Sequence, residues 1–151
     1  MISRRLVLFA LFFGFVALVS APAQDWSVYD WEIPISEAQE RAEEENKELL
    51  YFFAGSDWCS WCDRLINEVF SQELFRSFES SYVVPVLIDF PRQRELSPAL
   101  QQRNAALMEE FGVEGFPTVV ILTPGGKEIF RTGYRPGGPS PYINHLLPHV
   151  R

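Results

Sequence analysis

The stretch Leu49-Leu50-Tyr51-Phe52-Phe53-Ala54-Gly55-Ser56-Asp57-Trp58-Cys59-Ser60-Trp61-Cys62 decides how this chain is read. Its first six residues are almost continuously apolar, the pattern of a strand buried on both faces. Gly55-Ser56-Asp57 breaks the run. Helical spacing resumes from Cys59 to about Phe70, with Leu65 and Val69, and Ile66 and Phe70, four apart on a broad apolar face. Two cysteines three positions apart therefore sit where a buried strand ends and a helix opens. Such a pair can close a small disulfide and reopen it. Cys59 falls at the helix N-terminus, where unpaired backbone N–H groups and the helix dipole favour thiolate over thiol, so it is the expected nucleophile. Cys62, one turn deeper, is expected to resolve the mixed disulfide that forms. No organic cofactor is needed.

Working outward, residues 24–34, with Trp26, Tyr29 and Trp31, read as an arm packed on the domain, with room for one short strand. Ser36 and Gln39 suggest a capping box for a helix over 37–47, whose apolar stripe (Ile35, Ala38, Ala42) is thin. A short helical segment carries Leu74, Phe75 and Phe78. Residues 82–90 read as a central strand, provided Pro85 falls where its missing donor is harmless. After a polar loop over 91–97, Ser97-Pro98 opens a helix with Leu100, Leu107, Met108 and Phe111 inward. Two strands, 118–122 and 128–132, then form a hairpin about Pro124-Gly125-Gly126. A closing helix is expected with Ser140 as cap, Pro141 first and Pro148 as its limit. The first two strands call for parallel pairing and the last two for antiparallel pairing. The expected class is α/β, a central mixed β-sheet flanked by helices on both faces.

The 151 residues are 47% hydrophobic and 22% charged, which excludes a disordered tail and fits one domain. Residues 1–23 read as an export signal. Arg4 and Arg5 precede an apolar run of 14 residues, shorter than the ~20 that span a bilayer, and Ala21-Pro22-Ala23 suits cleavage. A retained anchor is the alternative. Residues 24–151 then form a single domain of 128 residues with 11 basic and 20 acidic side chains, a net charge of −9. Such a surface repels nucleic acid and anionic lipid. Export also places the cysteines where disulfides are permitted. Two cysteines cannot make a four-thiolate zinc site, and His145 and His149 are far from them in sequence, so no metal is expected. Three other readings of the pair stay open: a purely structural disulfide, half of a metal site, and a binding domain without turnover.

Taken together, these residues resemble the thioredoxin superfamily, and within it the exported bacterial thiol-disulfide oxidoreductases, over roughly residues 35–147. A second mark is Gly112-Val113-Glu114-Gly115-Phe116-Pro117-Thr118; the turn Thr123-Pro124-Gly125-Gly126-Lys127 and Gly133 also fit. The resemblance implies a thioredoxin fold, a cis Pro117 facing the cysteines, and a substrate-binding side lined by Phe116 and Pro117. Trp58 and Trp61 flank the nucleophile and offer apolar contact surface, Trp58 being the one expected to pack further inward. The resemblance also implies a periplasmic monomer that acts on cysteine-containing exported proteins in the reducing direction. Its electrons would come from a membrane or periplasmic thiol-disulfide partner. A disulfide-donating oxidant and a non-catalytic binding module remain alternatives. The chain departs from thioredoxin in carrying Ser60-Trp61 between the cysteines and Phe53 where thioredoxin has a buried carboxylate. That proton-transfer role is then absent, supplied by a side chain such as Asp57 or Asp63, or met by water, with Asp57 and Asp63 otherwise expected as surface charges. Val84-Pro85-Val86 replaces a lysine-bearing segment, with Asp89 the matching residue, and the stretch from 90 to 104 is longer.

Overall fold

Strand β1 (Glu48–Ala54) is buried along its whole length, and the sheet is built outward from it. A computed structural model describes Trp26 and residues 30–151; the expected export signal and its cleavage site lie outside the described residues. β2 (Val83–Asp89) runs parallel to β1, with Leu50 opposite Pro85 and Ala54 opposite Asp89. On the other side β3 (Thr118–Leu122) pairs antiparallel with β1, and β4 (Glu128–Thr132) antiparallel with β3. The order is β2-β1-β3-β4, a mixed sheet.

Because successive side chains of a strand point to opposite faces, β1 feeds two cores. Leu49, Tyr51 and Phe53 pack under α1 (Ile35–Glu44) and α4 (Pro98–Glu110), through Ala38, Ala42, Leu107 and Met108. Leu50, Phe52 and Ala54 pack under α2 (Ser60–Leu65), α3 (Glu73–Tyr82) and α5 (Pro139–Leu146), with Leu65, Phe75, Phe78, Tyr142 and Leu146. Each fully buried leucine or phenylalanine among them is worth about 1.5–3 kcal/mol. Helices thus cover both faces, as expected, and both cysteines belong to the second core.

Several local expectations are corrected. β2 is an edge strand, not a central one. Its outer side is met by the arm, where the Leu87 N–H donates to the Trp31 carbonyl at 2.8 Å. Alternate N–H groups of a strand face the same way, so the missing donor of Pro85 falls on that outer side, where no strand needs it. The arm contributes packing and no strand among its described residues: Trp26 stacks on Phe52 and Trp31 meets Phe70 edge-on. α1 begins at Ile35, with the Ala38 N–H donating to the Pro34 carbonyl, so Ser36 lies inside the helix and no side chain caps it. α5 begins at Pro139 behind Gly138, whose φ of 80° turns the chain into the helix, and Ser140 again lies inside. Ser97 does cap α4, accepting from the Leu100 N–H. The buried residue of α4, however, is Asn104, while Leu107, Met108 and Phe111 are half-buried and Leu100 joins neither core. α2 passes directly into a π-helical turn, Ile66–Phe70, which buries Ile66, Val69 and Phe70.

Candidate active site

Cys59 is the N-cap of α2 and is disulfide-bonded to Cys62, with their Cα atoms 5.2 Å apart. The turn is set by the Cys59 N–H donating to the Gly55 carbonyl at 2.9 Å and the Asp63 N–H donating to the Cys59 carbonyl at 3.1 Å. The Cys62 N–H donates to Cys59 Sγ at 3.2 Å. In the reduced pair, that N–H and the positive end of α2 both favour a thiolate at Cys59. Cys59 is 6% exposed and Cys62 is 0% exposed, so only the first sulfur can be approached from outside.

Aromatic side chains gather on either side of the pair. Trp58, 37% exposed, donates its indole N–H to the Phe90 carbonyl at 2.7 Å and meets Phe116 edge-on at 5.7 Å. Phe116 in turn stacks on Phe90 at 5.2 Å and packs against the core that holds the cysteines. A Cβ at Gly55 would run into the Trp58 indole, so glycine lets Trp58 lie back over the turn. Trp61, 51% exposed, stands on the other side against Tyr134, at 5.2 Å. The Tyr134 hydroxyl donates to Glu68, which also pairs with Arg64 at 2.9 Å. The Phe116–Pro117 peptide is cis, and the Pro117 carbonyl oxygen would lie 3.0 Å from a Cβ placed on Gly133. The structure thus joins Trp58 to Phe116 in one group and sets Trp61 in another.

The carboxylates divide their work. Phe53 is fully buried in the core under α1 and α4, so no carboxyl occupies that position. Asp57 accepts the backbone N–H groups of Arg92 at 2.8 Å, Gln93 at 2.6 Å and Arg94 at 3.2 Å. Burial pushes its carboxyl up, but these N–H groups outweigh that and hold it below the ordinary value. Asp57 is therefore the anchor of the loop after β2. Asp63 is held above its ordinary value by burial, against a weaker lowering by the Trp26 indole, whose N–H makes no hydrogen bond of ordinary geometry.

A buried polar network centred on Asp89 has almost no signature in the sequence. Asp89, 2% exposed, accepts from the Ser56 N–H, the Ser56 hydroxyl and Arg94, at 2.9, 2.7 and 2.7 Å. Arg94 continues to Glu32 at 2.6 Å, and Asn104 donates to the Asp89 carbonyl at 2.7 Å. This network fixes the turn that carries the cysteines. Only Asp89 had a sequence signal, by its position; Ser56, Arg94 and Asn104 come from separate segments with no shared spacing. Among the described residues, no group of three or more His, Cys, Asp or Glu side chains is placed to hold a metal ion. A buried-strand, Cys-capped helix with one reachable sulfur and one protected sulfur is equipped for two-electron thiol-disulfide exchange.

The family model of the thioredoxin-like domain matches residues 35–141. Over 128 residues the chain is 30% identical to disulfide bond reductase DsbH of Chlamydia pneumoniae, covering 85% of this chain and 74% of that one. It is 28% identical over 117 residues to the thioredoxin-related protein DsbJ of the same organism, covering 77% of this chain and 33% of that longer one. A solved structure of a DsbH oxidoreductase superposes with a TM-score of 0.74 at 30% identity, over 78% of this chain and 82% of that one.

Proposed function

The chain belongs to the thioredoxin-like domain family and is a thiol-disulfide oxidoreductase; on that premise we propose that it is an exported protein disulfide reductase of the bacterial periplasm. The observation that carries the mechanism is the contrast between Cys59, reachable and hydrogen-bonded at sulfur, and Cys62, fully enclosed. The Cys59 thiolate attacks one sulfur of a substrate disulfide. A mixed disulfide forms and the other substrate sulfur leaves as a thiolate, which takes a proton from water. The Cys62 thiolate then attacks Cys59 Sγ, releasing the second substrate thiolate and closing the Cys59–Cys62 bond. Two electrons have passed to the substrate, and a dithiol partner must return two before the next turn.

The reducing direction is supported by the name of the reductase that the chain resembles over most of both lengths. Residues 1–23 serve as the export signal in this reading, and among the described residues no helix is long and apolar enough to cross a membrane. Cysteine-containing exported proteins are the substrates, approached across Trp58, Trp61, Phe116 and Pro117. A membrane or periplasmic thiol-disulfide protein supplies the electrons. The deciding experiment is the reduction potential of the Cys59–Cys62 pair against glutathione. A value near the ~−270 mV of thioredoxin is expected, whereas one near ~−120 mV would make the protein a disulfide donor.

A further inference from the structure

The protein is acidic, with a formal charge of −7, yet each tryptophan beside Cys59 carries a guanidinium on its ring. Arg64 lies 5.0 Å from the Trp61 ring centre and Arg92 lies 3.8 Å from that of Trp58. The two cations are not equivalent. Arg64 is neutralised by Glu68 at 2.9 Å. Arg94, two residues beyond Arg92, is held between Glu32 and Asp89. Arg92 has no carboxylate within ion-pair distance among the described residues, although Glu95 lies on the same loop.

Its placement is built rather than incidental. The backbone N–H of Arg92 is bound by both carboxylate oxygens of Asp57, at 2.8 and 3.1 Å, and Asp57 directly precedes Trp58. The loop and the tryptophan therefore share one anchor, and the arginine is laid on the ring face. A guanidinium stacked in this way keeps its N–H donors free at the edge, in the planar fork that matches a carboxylate. Beside it opens a cleft of about 390 Å³, lined by the apolar Phe90, Leu96 and Ala105 and by the charged Arg92, Arg94 and Glu95, with room for a substrate side chain.

We propose that Arg92 is a specificity-determining residue that selects substrate segments bearing an acidic side chain next to the target disulfide. This deepens the reductase reading and rests on it. A polypeptide laid across Trp58 to bring its disulfide to Cys59 passes a guanidinium that, among the described residues, has no carboxylate within ion-pair distance. A carboxylate there gains an attraction that an amide does not, and the preference fades as salt screens it.

The test uses the reduced protein and two synthetic peptides, each with one intramolecular disulfide, alike except for Glu or Gln beside the cysteines. Rates are divided by those for reduction by dithiothreitol, which removes the peptides' intrinsic difference. The wild type is expected to prefer the Glu peptide about two- to fivefold, the range of a single partly exposed charge pair. Arg92→Gln brings the ratio to about one, Arg92→Lys retains most of it, and about 1 M salt abolishes it in the wild type. An unchanged ratio in Arg92→Gln, or equal wild-type rates for both peptides, overturns the role of Arg92 alone. Failure of the reduced wild type to reduce either peptide overturns the reductase reading and this inference with it.

Discussion

Asp89 and Ser56 meet through two hydrogen bonds, the Ser56 N–H to one carboxylate oxygen at 2.9 Å and its hydroxyl to the other at 2.7 Å. One buried side chain at the end of β2 thereby holds the turn that begins three residues before Cys59. The turn has little apolar support of its own, since Ser56 and Asp57 are half-buried and Trp58 is exposed.

Removing Asp89 should cost more than removing the hydroxyl it binds. Asp89→Ala leaves the Ser56 N–H and Arg94 short of an acceptor, and a loss of about 2–3 kcal/mol in urea unfolding is expected. Ser56→Ala removes one hydrogen bond and should cost about 1 kcal/mol. Equal losses in the two variants would locate the stabilisation in the hydroxyl alone.

The two cysteines should fail in different ways. Cys59→Ala is expected to abolish exchange. Cys62→Ala should still attack a substrate but accumulate the mixed disulfide, visible as an adduct in intact-protein mass spectrometry. An adduct on Cys62 in the Cys59 variant would reverse the assignment.

Gly55→Ala tests the seat of Trp58. The new methyl collides with the indole, so the ring must lift and surrender its hydrogen bond to the Phe90 carbonyl. A stability loss of about 1–3 kcal/mol is expected from the overpacking, together with slower reduction of insulin. Unchanged stability and rate would mean that Trp58 adjusts without consequence.

The pH dependence carries a signature from α3. Burial raises the Glu79 carboxyl above 4.5, against lowering by Trp31 and Arg76. The folded state then binds more protons than the unfolded state just above that value, so this residue makes stability fall as pH rises through the window and imposes its full penalty at neutral pH. Glu79→Gln keeps an acceptor for the Trp31 indole N–H and removes the titration. Urea midpoints measured from pH 4 to 7 should shift in favour of the variant, relative to wild type, as pH rises; parallel curves would refute the attribution.

The sequence made the strand-turn-helix around the cysteines and the hairpin legible because each rests on local apolar periodicity. The mixed sheet followed from the order of the elements. Three features were not legible, for physical reasons. The apolar run of β2 looks the same whether a strand or only an arm covers its outer side, so Pro85 was the sole hint of an edge. The starts of α1 and α5 depend on backbone geometry at Pro34 and Gly138 and not on the serines nearby. The Asp89 network draws on Glu32, Ser56, Arg94 and Asn104, which only the completed fold brings together.

The difference in access between Cys59 and Cys62 also constrains kinetics. In the reductase reading every foreign sulfur, whether it delivers electrons or collects them, enters on the Cys59 side and bonds to the same atom. Donor and acceptor therefore exclude each other, and no ternary complex forms. Turnover alternates between two half-reactions in a ping-pong pattern, giving parallel lines in double-reciprocal plots, and an excess of either partner inhibits the other's half of the cycle.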